Sequence, residues 1–201
     1  MLVILLVAAE FQWRTSRQNV IDGLSKDQWL VGKLLLVPSA LVLFYGWRIG
    51  FAGFFAFLGT DPAASTEPMV STTWFVAIAS VSIGVLIFTS LAFLLAMTVR
   101  NAGPAMGLFF VYMLLEQLIM AILMRFNFET VAKLVPFNVA GAFFHWIQYD
   151  SGALDAAVQR AVEAERTPPE IWDPTLLYSA GLGWIAVFLI GSYLWYRKTD
   201  L

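Results

Sequence analysis

Cysteine is absent from the chain, which excludes a disulfide scaffold and any thiolate metal site. Histidine occurs once, at His145, too few for the multi-histidine constellations that hold zinc. Charge is scarce. Asp, Glu, Lys and Arg make up 13% of the 201 residues, roughly half the share of an ordinary globular chain. The 12 basic and 14 acidic residues nearly cancel, so no basic surplus exists to track phosphates, and a nucleic-acid binder is excluded. Also missing is G-x-x-x-x-G-K-[ST], the loop that cradles nucleotide phosphates; Gly23-Leu24-Ser25-Lys26 lacks its glycine spacing. What the chain has in excess is apolar surface: 60% hydrophobic residues and a mean hydropathy of +0.75. That composition excludes a disordered chain and leaves an integral membrane protein.

A helix needs about 20 largely apolar residues to cross a bilayer. Four runs reach that length, at 28–58, 73–99, 104–124 and 175–196. The fold class expected is all-α, a polytopic membrane helix bundle forming one transmembrane domain over residues 1–201. Met1–Ala9 is apolar but less than half the needed length. It has no basic stretch before it and no small-residue cleavage site after it, so it reads as the inner end of a helix rather than a signal peptide. The expectation is a chain lacking its first span and part of its second; a short interfacial stub is the alternative.

Basic residues in short connections set orientation. Arg14, Arg17, Lys26, Lys33, Arg100, Arg197 and Lys198 fall on one side, and Arg125, Lys133, Arg160 and Arg166 on the other. The richer side is expected to be cytoplasmic. This gives a cytoplasmic loop at 10–27, a tight turn at 100–103 and a cytoplasmic C-terminus, with outer segments at 59–72 and 125–174. Trp13, Trp29, Trp74, Trp146, Trp172, Trp195 and Tyr196 lie near the span ends, as interfacial aromatics do.

Local chemistry supports these boundaries. Ser25-Lys26-Asp27-Gln28 is a capping box for the first full span. Asn101 stands where a cap is needed before the third, with Pro104 in its first turn. Pro38 is expected to kink the first full span. Within the loop, Arg14–Asp22 reads as a short helix capped by Thr15 or Ser16 and stopped by Gly23. Two turns of helix are marginal alone in water, so this one must rest on the membrane surface, the span ends or another protein.

Arg48 and Glu116 are the ionisable residues deep in the spans, each costly there unless paired or facing water. Their depths are similar, so the expectation is an intramembrane Arg48–Glu116 pair, with a water-filled path or a break at Arg48 as alternatives. Gly46, Gly50 and Gly53 flatten one face of the first full span. That face suits packing inside one subunit or a seam between two. Ser80 with Gly84, and Ser179 with Gly183, offer similar small faces. Phe137–Tyr149 is too short to cross and suits a helix lying in the outer interface or dipping part-way in. Ser151–Arg166 reads as a polar outer helix, and His145 as an interfacial anchor among aromatics.

The loop residues carry a resemblance. Glu10, Thr15 and Arg17, then Gly23-Leu24-Ser25-Lys26, then Gly32-Lys33 at the start of a long span, resemble permeases of ABC exporters of the ABC-2 type. The resemblance covers nearly the whole chain, but its sharp part is the stretch from Glu10 to Lys33. It implies that Glu10, Arg14, Thr15, Arg17, Asp22, Gly23, Ser25 and Lys26 couple the chain to a separate ATPase subunit. It implies ATP and Mg bound on that subunit, none bound by this chain, and a second permease subunit, identical or related. The location implied is the bacterial plasma membrane, and the outer segment before the last span would cap the pathway.

Two other classes compete. An intramembrane enzyme needs convergent catalytic groups, and one His with no Cys supplies few. A non-transporting anchor or immunity-type protein would hold a partner at the membrane without needing the loop's spacing. A largely apolar path favours hydrophobic or amphipathic cargo.

Overall fold

The computed structural model describes residues 1–13, 15, 18, 21, 23, 25–59, 72–150 and 173–198. Among these residues the regular elements are all helices: α1 (Leu2–Gln12), α2 (Lys26–Leu34), α3 (Leu36–Gly59), α4 (Thr72–Val99), α5 (Ala102–Arg125), α6 (Glu129–Lys133), α7 (Pro136–Asp150) and α8 (Pro174–Lys198). Four stretches are long and apolar enough to cross a membrane: 26–55, 78–99, 102–125 and 174–198. The protein is therefore all-helical and membrane-embedded.

The ends of these helices follow from their sequences. The Ser25 hydroxyl accepts from the Gln28 amide at 3.2 Å, and the Gln28 side chain accepts from the Ser25 amide at 3.0 Å, so the capping box forms in both directions. Asn101 caps α5 by accepting from the Gly103 amide at 3.3 Å. The turn before it is tight because Arg100 takes a left-handed conformation, with φ 56°. The first long stretch is interrupted at Leu35, one turn before Pro38. Proline has no N–H to give the Leu34 carbonyl, and its ring crowds the preceding turn. Leu35 itself stays near helical geometry, at φ −65° and ψ −17°, so the chain bends without breaking.

Packing centres on α4, which lies against α1, α3, α5, α7 and α8. Its buried side chains, among them Ile87, Phe93, Ala96 and Met97, face those of α1 (Ile4, Val7, Ala8), α7 (Val139, Phe143) and α8 (Leu177, Phe188). Thr89 and Thr98 on α4 return their hydroxyls to its own backbone, Thr89 to the Val85 carbonyl at 2.9 Å, which lowers the cost of these polar groups in an apolar setting. Helices α3 and α5 are the opposite: Leu43, Trp47, Phe55, Leu114 and Leu118 are uncovered, a surface suited to hydrocarbon rather than water.

The small residues divide sharply between these settings. A Cβ at Gly84 would lie 3.2 Å from the Ala140 carbonyl and 3.3 Å from Phe143. One at Gly181 would lie 2.6 Å from the Phe143 ring and 2.8 Å from Ile83. These two glycines let α7 wedge between α4 and α8. Gly183, the residue singled out from sequence, has no atom within 4 Å of such a Cβ, and neither have Gly46, Gly50 and Gly53. Among the described residues the glycine face of α3 thus packs against nothing, against the reading that it serves packing inside one subunit.

Helices α6 and α7 form a re-entrant element. After α5 the chain turns back at Asn127, which is left-handed with φ 59°. It reaches mid-height, where Phe137 meets Phe88, Phe109 and Tyr112. From there α7 climbs to Tyr178 and Gly181, near the start of α8. Phe137–Tyr149, expected in the outer interface or dipping part-way in, falls within α7, which packs between α4 and α8. The expected polar helix at Ser151–Arg166 lies outside the described residues, as does the side chain of His145.

Candidate functional site

The charged and capped residues singled out from sequence converge at one end of the molecule, where α1 ends, α2 begins, α4 turns into α5 and α8 ends. Glu10 is its centre. Its carboxylate forms an ion pair with Lys33 and accepts from the Trp29 indole N–H at 3.3 Å. The contact brings the last turn of α1 against α2. Thr15, Gln18 and Ile21 are helical, and the Thr15 hydroxyl donates to the Glu10 carbonyl at 3.2 Å. Gly23 takes φ +106°, a conformation that side-chain-bearing residues rarely adopt, and Ser25 then caps α2.

Aromatic rings tie the remaining elements to this pair. Trp29 is buried, stacks on Tyr196 at 5.5 Å between centroids and meets the edge of Phe11 at 5.4 Å. The Tyr196 hydroxyl donates to the Lys26 carbonyl at 3.3 Å. The Arg100 guanidinium sits over Phe11 at 5.2 Å, and the Gln12 amide donates to Asn101 at 2.7 Å. The stretch at 13–25 is therefore held at both ends by a clasp that reaches α1, α2, the α4–α5 turn and α8. Between these ends Ile21 is 82% exposed. An apolar side chain so exposed is one that another body can cover.

Of the coupling residues expected from sequence, Glu10, Thr15, Gly23, Ser25 and Lys26 are brought together here. Arg14, Arg17 and Asp22 lie outside the described residues. Trp29, Tyr196, Arg100 and Asn101 are neighbours that the sequence reading placed only as interface markers, caps or loop charges, and Phe11 is one it gave no role. Their signal was present in the aromatic positions at span ends, but sequence does not say which ring meets which.

The second expected feature is corrected. The structure does not bring Arg48 and Glu116 together. Arg48 is exposed on α3, whereas Glu116 on α5 is 2% exposed and turned to α7. Its Oε1 accepts from the Phe137 amide at 2.6 Å and the Asn138 amide at 3.3 Å. Similar depth along two helices did not fix their facing, and α7 supplies the donors that Arg48 was expected to give.

Among the described residues, no cluster of His, Asp or Glu could hold a metal ion. Compared with protein-family models, curated proteins and solved structures, the chain matches none.

Proposed function

We propose that the chain is the membrane-spanning permease subunit of an ATP-driven exporter of the ABC-2 type. In this reading residues 10–33 receive force from a separate ATP-binding subunit, which binds ATP and Mg. A second permease subunit, identical or related, completes the pathway. The membrane is the bacterial plasma membrane, with the clasp and the C-terminus on the cytoplasmic side.

The observation that carries the reading is the Glu10–Lys33–Trp29 clasp. The first and last residues of the motif stretch are joined to each other, and through Trp29 and Tyr196 to the last span. A coupling segment anchored this way would work as a lever: a push on it would move α1, α2 and α8 together. The re-entrant α6–α7 element sits at the far end, where a gate for cargo would be needed. No bond-making chemistry is required of this chain. The remaining apolar path suits a hydrophobic or amphipathic substrate.

The test is co-purification of the full chain with an ATP-binding subunit encoded beside it, followed by ATPase assays in lipid. Arg17→Ala and Asp22→Ala are expected to reduce association or nucleotide-dependent stimulation while membrane insertion is kept. Finding residues 14–24 accessible from outside intact cells would overturn the reading. A chain that holds a partner at the membrane, with no dependence of any ATPase on these residues, would be an anchor or immunity-type protein instead.

A further inference from the structure

Helix α3 carries a single charge, Arg48, in an otherwise apolar sequence. An ionisable residue inside a membrane span calls for a named partner, because a bare guanidinium in hydrocarbon is costly. Arg48 is exposed, and among the described residues no carboxylate lies within ion-pair distance of it. The carboxyl groups nearest in kind are engaged elsewhere. Glu10 has Lys33, Glu116 has the amides of Phe137 and Asn138, and Asp173 accepts from the Thr175 amide at 2.8 Å.

The height of Arg48 says where an anion can come from. At 1.5 Å per residue it lies about 22 Å beyond Lys33, in a hydrocarbon core about 30 Å thick. One turn before it, the Tyr45 hydroxyl donates at 2.8 Å to the carbonyl of Ile78, where the apolar stretch of α4 begins. Both measures put Arg48 close to the level at which hydrocarbon gives way to headgroups, on the side away from the clasp. A side chain as long as arginine reaches that layer. Phosphate is the anion found there, and a guanidinium binds it with two parallel N–H···O bonds.

Beside Arg48 the helix offers a seat for a chain. Gly46 and Gly50 floor an apolar groove walled by Trp47, Phe51 and Phe54. Trp47 and Phe51 pack together at 4.4 Å between centroids, and all three rings are exposed. A Cβ at either glycine would meet nothing within 4 Å, so no contact inside the chain offsets the poor helix propensity of glycine here. Phe51 belongs to the groove and also stands one turn above Arg48, so cation and groove are continuous.

We infer that this face of α3 binds an anionic phospholipid: Arg48 holds the phosphate, and an acyl chain lies in the groove over Gly46 and Gly50. A headgroup with its own cation neutralises its phosphate, whereas a glycerol headgroup leaves the net charge for Arg48. The chemistry therefore favours phosphatidylglycerol over phosphatidylcholine. This inference stands apart from the exporter reading, since it needs no ATPase and no second subunit.

The experiment uses the purified full chain in phosphatidylcholine nanodiscs doped with phosphatidylglycerol or phosphatidylcholine that carries brominated acyl chains. The signal is the part of the tryptophan fluorescence that is lost in Trp47→Phe. Brominated phosphatidylglycerol is expected to quench it at about tenfold lower mole fraction than brominated phosphatidylcholine. Arg48→Gln should abolish that preference. Arg48→Lys should keep part of it, as a point charge without the planar fork. Arg125→Gln, which removes a cation from the last turn of α5 at the same end, should leave it unchanged. Equal quenching of the wild type by the two lipids overturns the inference, whether or not Arg48→Gln folds. An Arg125→Gln variant that loses as much as Arg48→Gln also overturns it, because the attraction is then diffuse. A wild type with no lipid preference that forms a dimer, dissociated by Arg48→Gln, overturns it in favour of a contact between two copies.

Discussion

The two ends of the molecule hold themselves together in different ways. At the clasp, side chains from four elements meet side chains: Glu10 with Lys33, Gln12 with Asn101, Trp29 with Tyr196, Arg100 with Phe11. At the re-entrant end one carboxyl meets backbone: Glu116 holds the first amides of α7, while the Trp184 indole donates to the Leu134 carbonyl at 2.7 Å. The difference follows from solvent. Glu10 and Lys33 are part-exposed and keep water for whatever their partner does not satisfy. Glu116 and the start of α7 have no such reserve, so backbone donors freed by a mid-height helix start must be answered by a side chain. A water-facing end can use many weak charged contacts. A dry end depends on few, each costly to lose.

Breaking the largest contact of each end tests this contrast. Trp29→Ala should destabilise the protein by about 4 kcal/mol, because a buried ring that organises three neighbours is removed. Trp29→Phe should cost far less, and thermal unfolding in detergent distinguishes the two. Glu116→Ala should cost about 3 kcal/mol by leaving two buried amide donors unanswered. An unfolding titration in mixed micelles reads that loss. A middle-sized effect separates packed from open glycines. Gly181→Ala should cost about 2 kcal/mol, since the Phe143 ring has to move. Gly50→Ala should be neutral or stabilising by up to about 1 kcal/mol, through helix propensity alone. Parallel melts of the two variants sharpen the comparison between α8 and α3. The smallest effect belongs to the ion pair. A double-mutant cycle on Glu10 and Lys33 should give a coupling of about 0.5 kcal/mol that shrinks as salt is added. Its modest size leaves its mechanical role intact, and exchanging the two charges should restore any ATPase stimulation that either single change removes.

Much of this architecture was legible from residue order. The capping box at Ser25 and Gln28, the cap at Asn101 and the four long apolar helices stand where their sequences put them, because these signals are local. Pro38 announced a bend, which falls at Leu35 because a proline disturbs the turn that precedes it. What stayed hidden was the facing of the helices. Arg48 and Glu116 have similar heights, yet height along an axis carries no information on azimuth. The same limit hid the stacking of Trp29 on Tyr196, which brings together residues from opposite ends of the sequence. Gly181 was missed for its neighbour Gly183, since a run of small residues in an apolar helix does not reveal which one a ring will press against.

The turning back of α6 and α7 also bears on a question of parity. In the proposed topology a segment that enters and leaves by the same face adds no crossing, so the four apolar stretches would be four passages between Lys26 and Lys198, and an even number would return the chain to the compartment it left. The Tyr196 hydroxyl resting on the Lys26 carbonyl agrees with that count. Were α7 a fifth passage, these two atoms would stand a bilayer apart. A reporter fused after Lys198 and another inserted before Ser25 must therefore light up together.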